Sequence, residues 1–246
     1  MFRLDAFKLT DMASCTADIR QFGLESDSFE EAAEQIIQYF YSNFCDDKGA
    51  PALSLARVFK TVRFSALDDE LKRYAQQEFD SIADTRFLAL MASVGAMSTW
   101  NDRRQSLRHR LVPVSDKREL RTKLPMIAAL MNEYDTSSDR DQDDQHSTGS
   151  YILEPDQKRF NVFYVPEAST CNLITEQEFV REHNIRSVLG FGGMLNSSSS
   201  FWIVMFCRVF VPKEIAQMFN PLCLSAKNAL LHSADFRPIV ARRELA

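Results

Sequence analysis

Two apolar runs, "IRSVLGFGGML" (185–195) and "FWIVMFCRVFV" (201–211), are separated only by "NSSSS" (196–200), and this pair constrains the chain more than any other feature. Both runs are rich in β-branched and aromatic residues. A short Ser-rich turn between them predicts a β-hairpin. Neither run reaches the ~18 residues needed to cross a bilayer as a helix, and Arg208 interrupts the second. A hairpin alone is marginal in water and needs further strands and a packed cover.

The rest of the chain predicts both. Ser28 and Glu31 form an S-x-x-E capping box, and Phe29, Ala32, Ala33, Ile36, Ile37, Phe40 and Phe44 follow at helical spacing. "ALSLARVFKTVRF" (52–64) predicts a strand and "SALDDELKRYAQQEF" (65–79) a helix. "RFLALMASV" (86–94) is a continuous apolar run, the pattern of a strand covered on both faces. Pro113 makes "RLVPV" (110–114) an edge strand. Thr122 is expected to cap a helix with Pro125 in its first turn. "FNVFYVPEA" (160–168) predicts a strand, and Thr175 with Glu178 a second capping box, for a short helix near 176–183. Pro212 opens the last helix, and Pro221 is expected to kink it. This order predicts an α+β domain, an antiparallel sheet with helices packed on it.

Residues 1–27 read as a leader that docks partly on a domain spanning 28–235, with a tail at 236–246. Within the domain, "DTSSDRDQDDQHSTGS" (135–150) has no aliphatic or aromatic side chain and five aspartates, so a flexible insertion is expected.

Composition enters as a filter. With 45% hydrophobic residues and 19 Phe, 246 residues can bury a sizeable core. A net charge of −5 lacks the basic footprint of a nucleic-acid binder. The N-terminus shows no apolar signal region, so a cytoplasmic protein with no membrane contact is expected. The five cysteines are scattered without a CxxC, and neither they nor the four histidines are spaced as zinc ligands. No metal site and no particular cofactor is specified. "GFGG" (190–193) lacks the phosphate-loop pattern and is read as a close backbone approach or bulge within a strand.

One stretch carries candidate chemistry. "STWNDRRQSLRHR" (98–110) places four arginines, Arg103, Arg104, Arg108 and Arg110, between two strands of an acidic chain. Guanidinium groups recognise carboxylate or phosphate through paired hydrogen bonds, and Trp100 can stack on a planar ligand or on an arginine. Equally, Asp102 can pair with these arginines and make the cluster a structural ion network. The ligand reading names Trp100, Asn101, Arg103, Arg104 and His109, with Arg186 from the facing strand edge, and expects Arg104→Ala to weaken binding of an anionic or polar aromatic ligand.

"ARVFKTVRFSALDDELKRYA", "WNDRRQSLRHRLVPV", "LPMIAALM", "VPEA" and the closing hairpin with "PKEIAQMFNPLCLSAKNALL" resemble, in the same order, pieces of the GAF/PAS-like sensory superfamily. More narrowly, they resemble GAF-like regions ahead of histidine kinase and diguanylate cyclase output domains in bacterial signalling proteins. The resemblance covers roughly residues 28–233. It implies a central antiparallel sheet with one ligand-facing side and one helical side, and a non-enzymatic sensing or regulatory role toward a small ligand or a downstream signalling protein. It also implies homodimerisation through flanking helices, for which Phe29, Phe40, Phe44, Met218 and Phe219 offer apolar surface. The tail lacks the heptads of a signalling helix; if the protein ends at Ala246, its output is expected to be a partner or a change in assembly. The alternative within the same fold is a thiol-dependent redox enzyme centred on Cys171, which would need a second cysteine nearby.

Overall fold

The structure is a computed structural model that describes residues 1–80, 82–106, 108–114, 117–132, 152–153 and 160–234. The expected insertion at 135–150, with His146, and the tail at 236–246 lie outside the described residues. The chain opens with β1 (Phe2–Arg3) and α1 (Leu9–Glu25), then α2 (Phe29–Asn43) runs into β2 (Phe44–Cys45), which pairs in parallel with β1. There follow β3 (Leu53–Arg63), α3 (Asp69–Glu78), β4 (Arg86–Gly95), β5 (Leu111–Pro113), α4 (Lys117–Lys123) and α5 (Pro125–Asn132). The second half contains β6 (Ile152–Leu153), β7 (Phe160–Val165), α6 (Gln177–Glu182), β8 (Ser187–Asn196), β9 (Ser199–Cys207), α7 (Lys213–Gln217) and α8 (Phe219–Ala234).

Seven strands form one sheet in the order β5-β4-β3-β9-β8-β7-β6, and every neighbouring pair is antiparallel. The predicted hairpin is the β8–β9 pair, closed at Ser197–Ser198. There the Asn196 side chain accepts from the Ser198 amide at 2.9 Å, the local bond that favours Asn in turns. β4 is buried from Phe87 to Gly95, as its unbroken apolar run requires. β5, with Pro113, sits at the sheet edge, where a missing N–H costs no ladder bond. Gly192 answers for "GFGG": a Cβ there would lie 2.4 Å from the Trp202 ring, so the glycine lets the buried indole lie across β8.

The sheet separates two cores. One face carries α1, α2 and α8 over a cluster that includes Phe29, Phe40, Phe44, Phe191 and Phe219. The other carries a smaller cluster around Phe59, Phe163 and Trp202, covered by α4, α5, α6 and loops. An α+β domain, an antiparallel sheet with helices packed on it, is therefore present, as the sequence predicts.

Local differences have local causes. The stretch read as a leader forms α1, which packs along α8 with Cys15 and Ile19 fully buried, while Leu4 and Phe7 just before it enter the same core. Each such side chain contributes roughly 1.5–3 kcal/mol, so this segment is integral to the domain. Ser28 caps α2 by accepting from the Glu31 amide at 3.1 Å, but the Glu31 carboxylate reaches back to the amide of Asp27. Thr122 is no cap: it lies inside α4, and its hydroxyl donates to the Arg118 carbonyl. Thr175 does not cap α6, whose preceding residue is Glu176; the Gln177 side chain instead donates to the carbonyls of Ala168 and Ile174. Pro221 does not kink a helix. The chain breaks at Met218 between α7 and α8, which leaves Pro221 in the first turn of α8, where amides lack helical acceptors anyway. Phe29, Phe40, Phe44 and Phe219, read as surface for self-association, are fully buried within the chain's own core. The Phe40 and Phe44 rings stack there at 5.2 Å, and Phe219 meets both at an angle.

Candidate functional site

On the face away from the long helices, a partly open cavity of 420 Å³ lies between the sheet, the 98–110 loop, the start of α5 and the 173–179 segment. Its size falls within the ~300–1,000 Å³ usual for small-molecule sites. Strand alternation builds the floor: Leu55, Arg57 and Phe59 project from one side of β3 beside Val204 and Phe206 of β9. Leu124 and Ile127 supply an apolar wall.

The loop that forms the rim is held at both ends. Asn101 Oδ1 accepts from the Gly95 amide at 2.8 Å, which ties the loop to the end of β4. A Cβ on Gly95 would meet Trp100 Cε3 at 2.6 Å, so the indole rests on bare backbone. Trp100 then lines the cavity, its ring edge-on to Phe179 (5.8 Å) and His183 (4.6 Å). His109 also lines it and takes the left-handed conformation (φ 61°), turning the chain back toward β5.

The arginines divide. Arg103 is 3% exposed and points away from the cavity; its Nε donates to Glu30 Oε1 at 2.5 Å and its Nη2 to Asp68 Oδ2 at 3.2 Å. Burial alone would lower the Arg103 pKa, but the hydrogen bond and charge of Glu30, with Asp68, leave it raised. Arg104 pairs with Glu70 at 3.0 Å and lies 3.6 Å from Glu30. Arg110 pairs with Glu70 and lies over the Tyr74 ring at 4.9 Å. Only Arg108 of the four lines the cavity, where its guanidinium is paired with Glu176. Of the six residues that the sequence nominates, Trp100 and His109 line the cavity. Asn101 holds the loop, Arg103 and Arg104 sit in carboxylates behind it, and Arg186 is exposed at the entry to β8, its amide donating to the Cys207 carbonyl.

The cation at the floor is Arg57, which sequence reading passed over. Its Nη2 donates to Ser106 Oγ at 3.1 Å, and that hydroxyl donates to the Arg108 carbonyl at 2.8 Å. Arg57 Nε is buried without a hydrogen-bond partner, and among the described residues no carboxylate lies within 4.0 Å of its guanidinium. Burial draws its pKa down to about 10, with only the more distant Glu176 opposing. The signal was a charge between apolar residues midway along a predicted strand, "SLARVF", since arginine withdrawn from water usually needs a charged partner.

All five cysteines are buried. Cys171 belongs to the cavity-side cluster, whereas Cys15, Cys207 and Cys223 belong to the helical side of the sheet. Burial pushes the Cys207 thiol up to about 12 and the Cys15 thiol up to about 11. Among the described residues, no cluster of His, Cys, Asp or Glu is arranged to hold a metal ion, and no helix is long and apolar enough to cross a membrane.

No protein-family model matches the chain, and no curated protein matches it. Among solved structures, it is similar to the GAF domain from a phosphoenolpyruvate-protein phosphotransferase of Coxiella burnetii. The two share 11% identity over 91% of this chain and 95% of that one, with a TM-score of 0.48. A likeness of that size carries no chemistry across, and the functional reading rests on the cavity itself.

Proposed function

We propose that this chain is a non-enzymatic sensory or regulatory domain whose cavity binds a small ligand. The observation that carries the reading is Arg57: a half-buried cation on the floor of a mostly apolar cavity, with no carboxylate within 4.0 Å of it among the described residues. Withdrawing a cation from water without an opposite charge costs stability, and a bound anion that pairs with it offsets that cost. Trp100 and His109, from the loop that the sequence singles out, form the rim. The GAF-like resemblance in the sequence fits the same role, with a cytoplasmic bacterial protein acting on a downstream signalling partner, as a homodimer in that reading.

Native mass spectrometry of protein purified without unfolding tests this. A small-molecule adduct is expected on the wild type and is expected to be lost in Val204→Phe, which fills the cavity from its floor. An adduct that survives this substitution places the ligand elsewhere. Absence of any adduct, together with no thermal stabilisation by a library of small metabolites, counts against a ligand site altogether.

The thiol-enzyme reading lacks support, since a thiolate nucleophile needs exposure and a lowered pKa. A chromogenic disulfide reagent at pH 8 is expected to leave the folded chain unreacted and to titrate all five thiols after unfolding in urea. Rapid reaction of one thiol in the folded chain would revive that reading.

A further inference from the structure

We infer that the ligand of this cavity is a monocarboxylic acid with an apolar body, its carboxylate gripped by Arg57 and its body lying between the sheet and α5. This rests on the reading of the cavity as a ligand site and deepens it.

Charge argues first. The charged side chains described in the lining are Arg57, Arg108 and Glu176. Arg108 and Glu176 are already paired with each other. One positive charge remains, and it belongs to Arg57. A single negative charge neutralises it; a dianionic phosphate would bring one buried charge too many into an apolar space.

Geometry argues second. Arg57 is in the middle of β3, opposite Val204 on one neighbouring strand and Ser93 on the other. Its bond to Ser106, itself held by the Arg108 carbonyl, fixes the guanidinium plane. The side chain is half-buried and lines the cavity, with its Nε enclosed and the rest of it partly open. A planar guanidinium matches a planar carboxylate better than it matches a point anion.

The walls argue third. Leu55, Phe59, Leu124, Ile127, Val204 and Phe206 offer no charge and no side-chain hydrogen bond to the rest of the ligand. They suit an aromatic ring or a branched aliphatic chain. A polar body lying against these six residues would leave its groups unpaired, because the cavity's other polar side chains, Thr99, Gln105, His109 and Thr175, come from the loops. The edge-on cluster of Trp100, Phe179 and His183 adds an aromatic end wall.

The test is equilibrium binding by calorimetry with named probes: phenylacetate and 4-methylpentanoate as the acids, phenylacetamide and 4-methylpentanamide as their neutral counterparts, and phenyl phosphate as the dianion. The acids are expected to bind at least about tenfold more tightly than the amides, the loss expected for one charge-assisted bond. Arg57→Met is expected to abolish that preference, and Arg57→Lys, which keeps the charge without the fork, to retain only part of it. Circular dichroism checks that each variant is folded. Equal affinity for acids and amides, binding of the acids unchanged in Arg57→Met, or tighter binding of phenyl phosphate overturns the carboxylate assignment. So does failure of both acids to bind. In each of those cases the cavity remains a ligand site if the natural adduct is still lost in Val204→Phe. If that adduct is insensitive to Val204→Phe, or if there is none and no metabolite stabilises the chain, both readings fall.

Discussion

Arg103, buried, and Arg57, half-buried, are two arginines on either side of the same loop, and they are treated in opposite ways. Arg103, behind the loop, is enclosed with Glu30 and Asp68, and the pair with Glu30 is 2% exposed on both sides. Arg57, beneath the loop, has a serine hydroxyl and one unused donor. Enclosure with carboxylates raises the first pKa; burial without them lowers the second to about 10. A buried charge supplied with partners from its own chain anchors architecture, here fastening the 98–110 loop to α2 and α3. A half-buried charge that faces a cavity with no carboxylate of its own is open to a charge from outside the chain.

The comparison can be broken most forcefully at Arg103. Arg103→Ala leaves Glu30 buried without its main partner and is expected to cost about 3–5 kcal/mol, a fall in melting temperature on the order of 10 °C. Replacing Arg103 and Glu30 together by Met is expected to restore most of that loss. Urea unfolding of the two variants checks it; a single variant as stable as wild type would show that the network does not anchor the loop.

A smaller effect is expected at Glu70, which holds Arg104 and Arg110 at the protein surface. Solvent weakens these pairs, so Glu70→Gln should cost about 1 kcal/mol or less, and the loss should shrink in high salt. A larger, salt-independent loss would place Glu70 with the buried pair.

The smallest effect on stability is expected at Arg57 itself. Arg57→Met removes a half-buried charge without a carboxylate partner and should leave the ligand-free chain within about 1 kcal/mol of wild type, on the stable side. The pH dependence sharpens this. Because the folded-state pKa is depressed, the unfolded chain binds more protons between about 10 and the ordinary arginine value, so wild-type stability from this group rises with pH in that window. Below about pH 10 the penalty is present in full. The advantage of Arg57→Met is therefore expected to narrow between denaturation at pH 9 and at pH 11. An Arg57→Met chain that unfolds at neutral pH would show that this arginine serves the architecture as Arg103 does.

How much of this was legible in the sequence depended on the range of the interaction. The β8–β9 hairpin, the doubly covered β4 and the edge strand at Pro113 were legible because alternation, apolar runs and a missing N–H act within a few residues. The helix at 9–25 was not, because Met12, Cys15, Ile19 and Phe22 form its inner stripe among polar neighbours and become a core only against α8. The loop at 98–110 was legible as a charged interruption. Which of its arginines faced a carboxylate was not, since Glu30, Asp68 and Glu70 come from two helices placed beside it by the fold.

The sequence by itself determined the antiparallel sheet, the helices that flank it and the concentration of arginine beside Trp100. Those follow from periodicity and composition, which any chain conformation must respect. Only the tertiary structure decided which cation serves structure and which faces the cavity. Partnership between charges is a matter of a few ångströms across elements far apart in the chain: 73 residues separate Arg103 from Glu30, and 49 separate Arg57 from the serine that orients it.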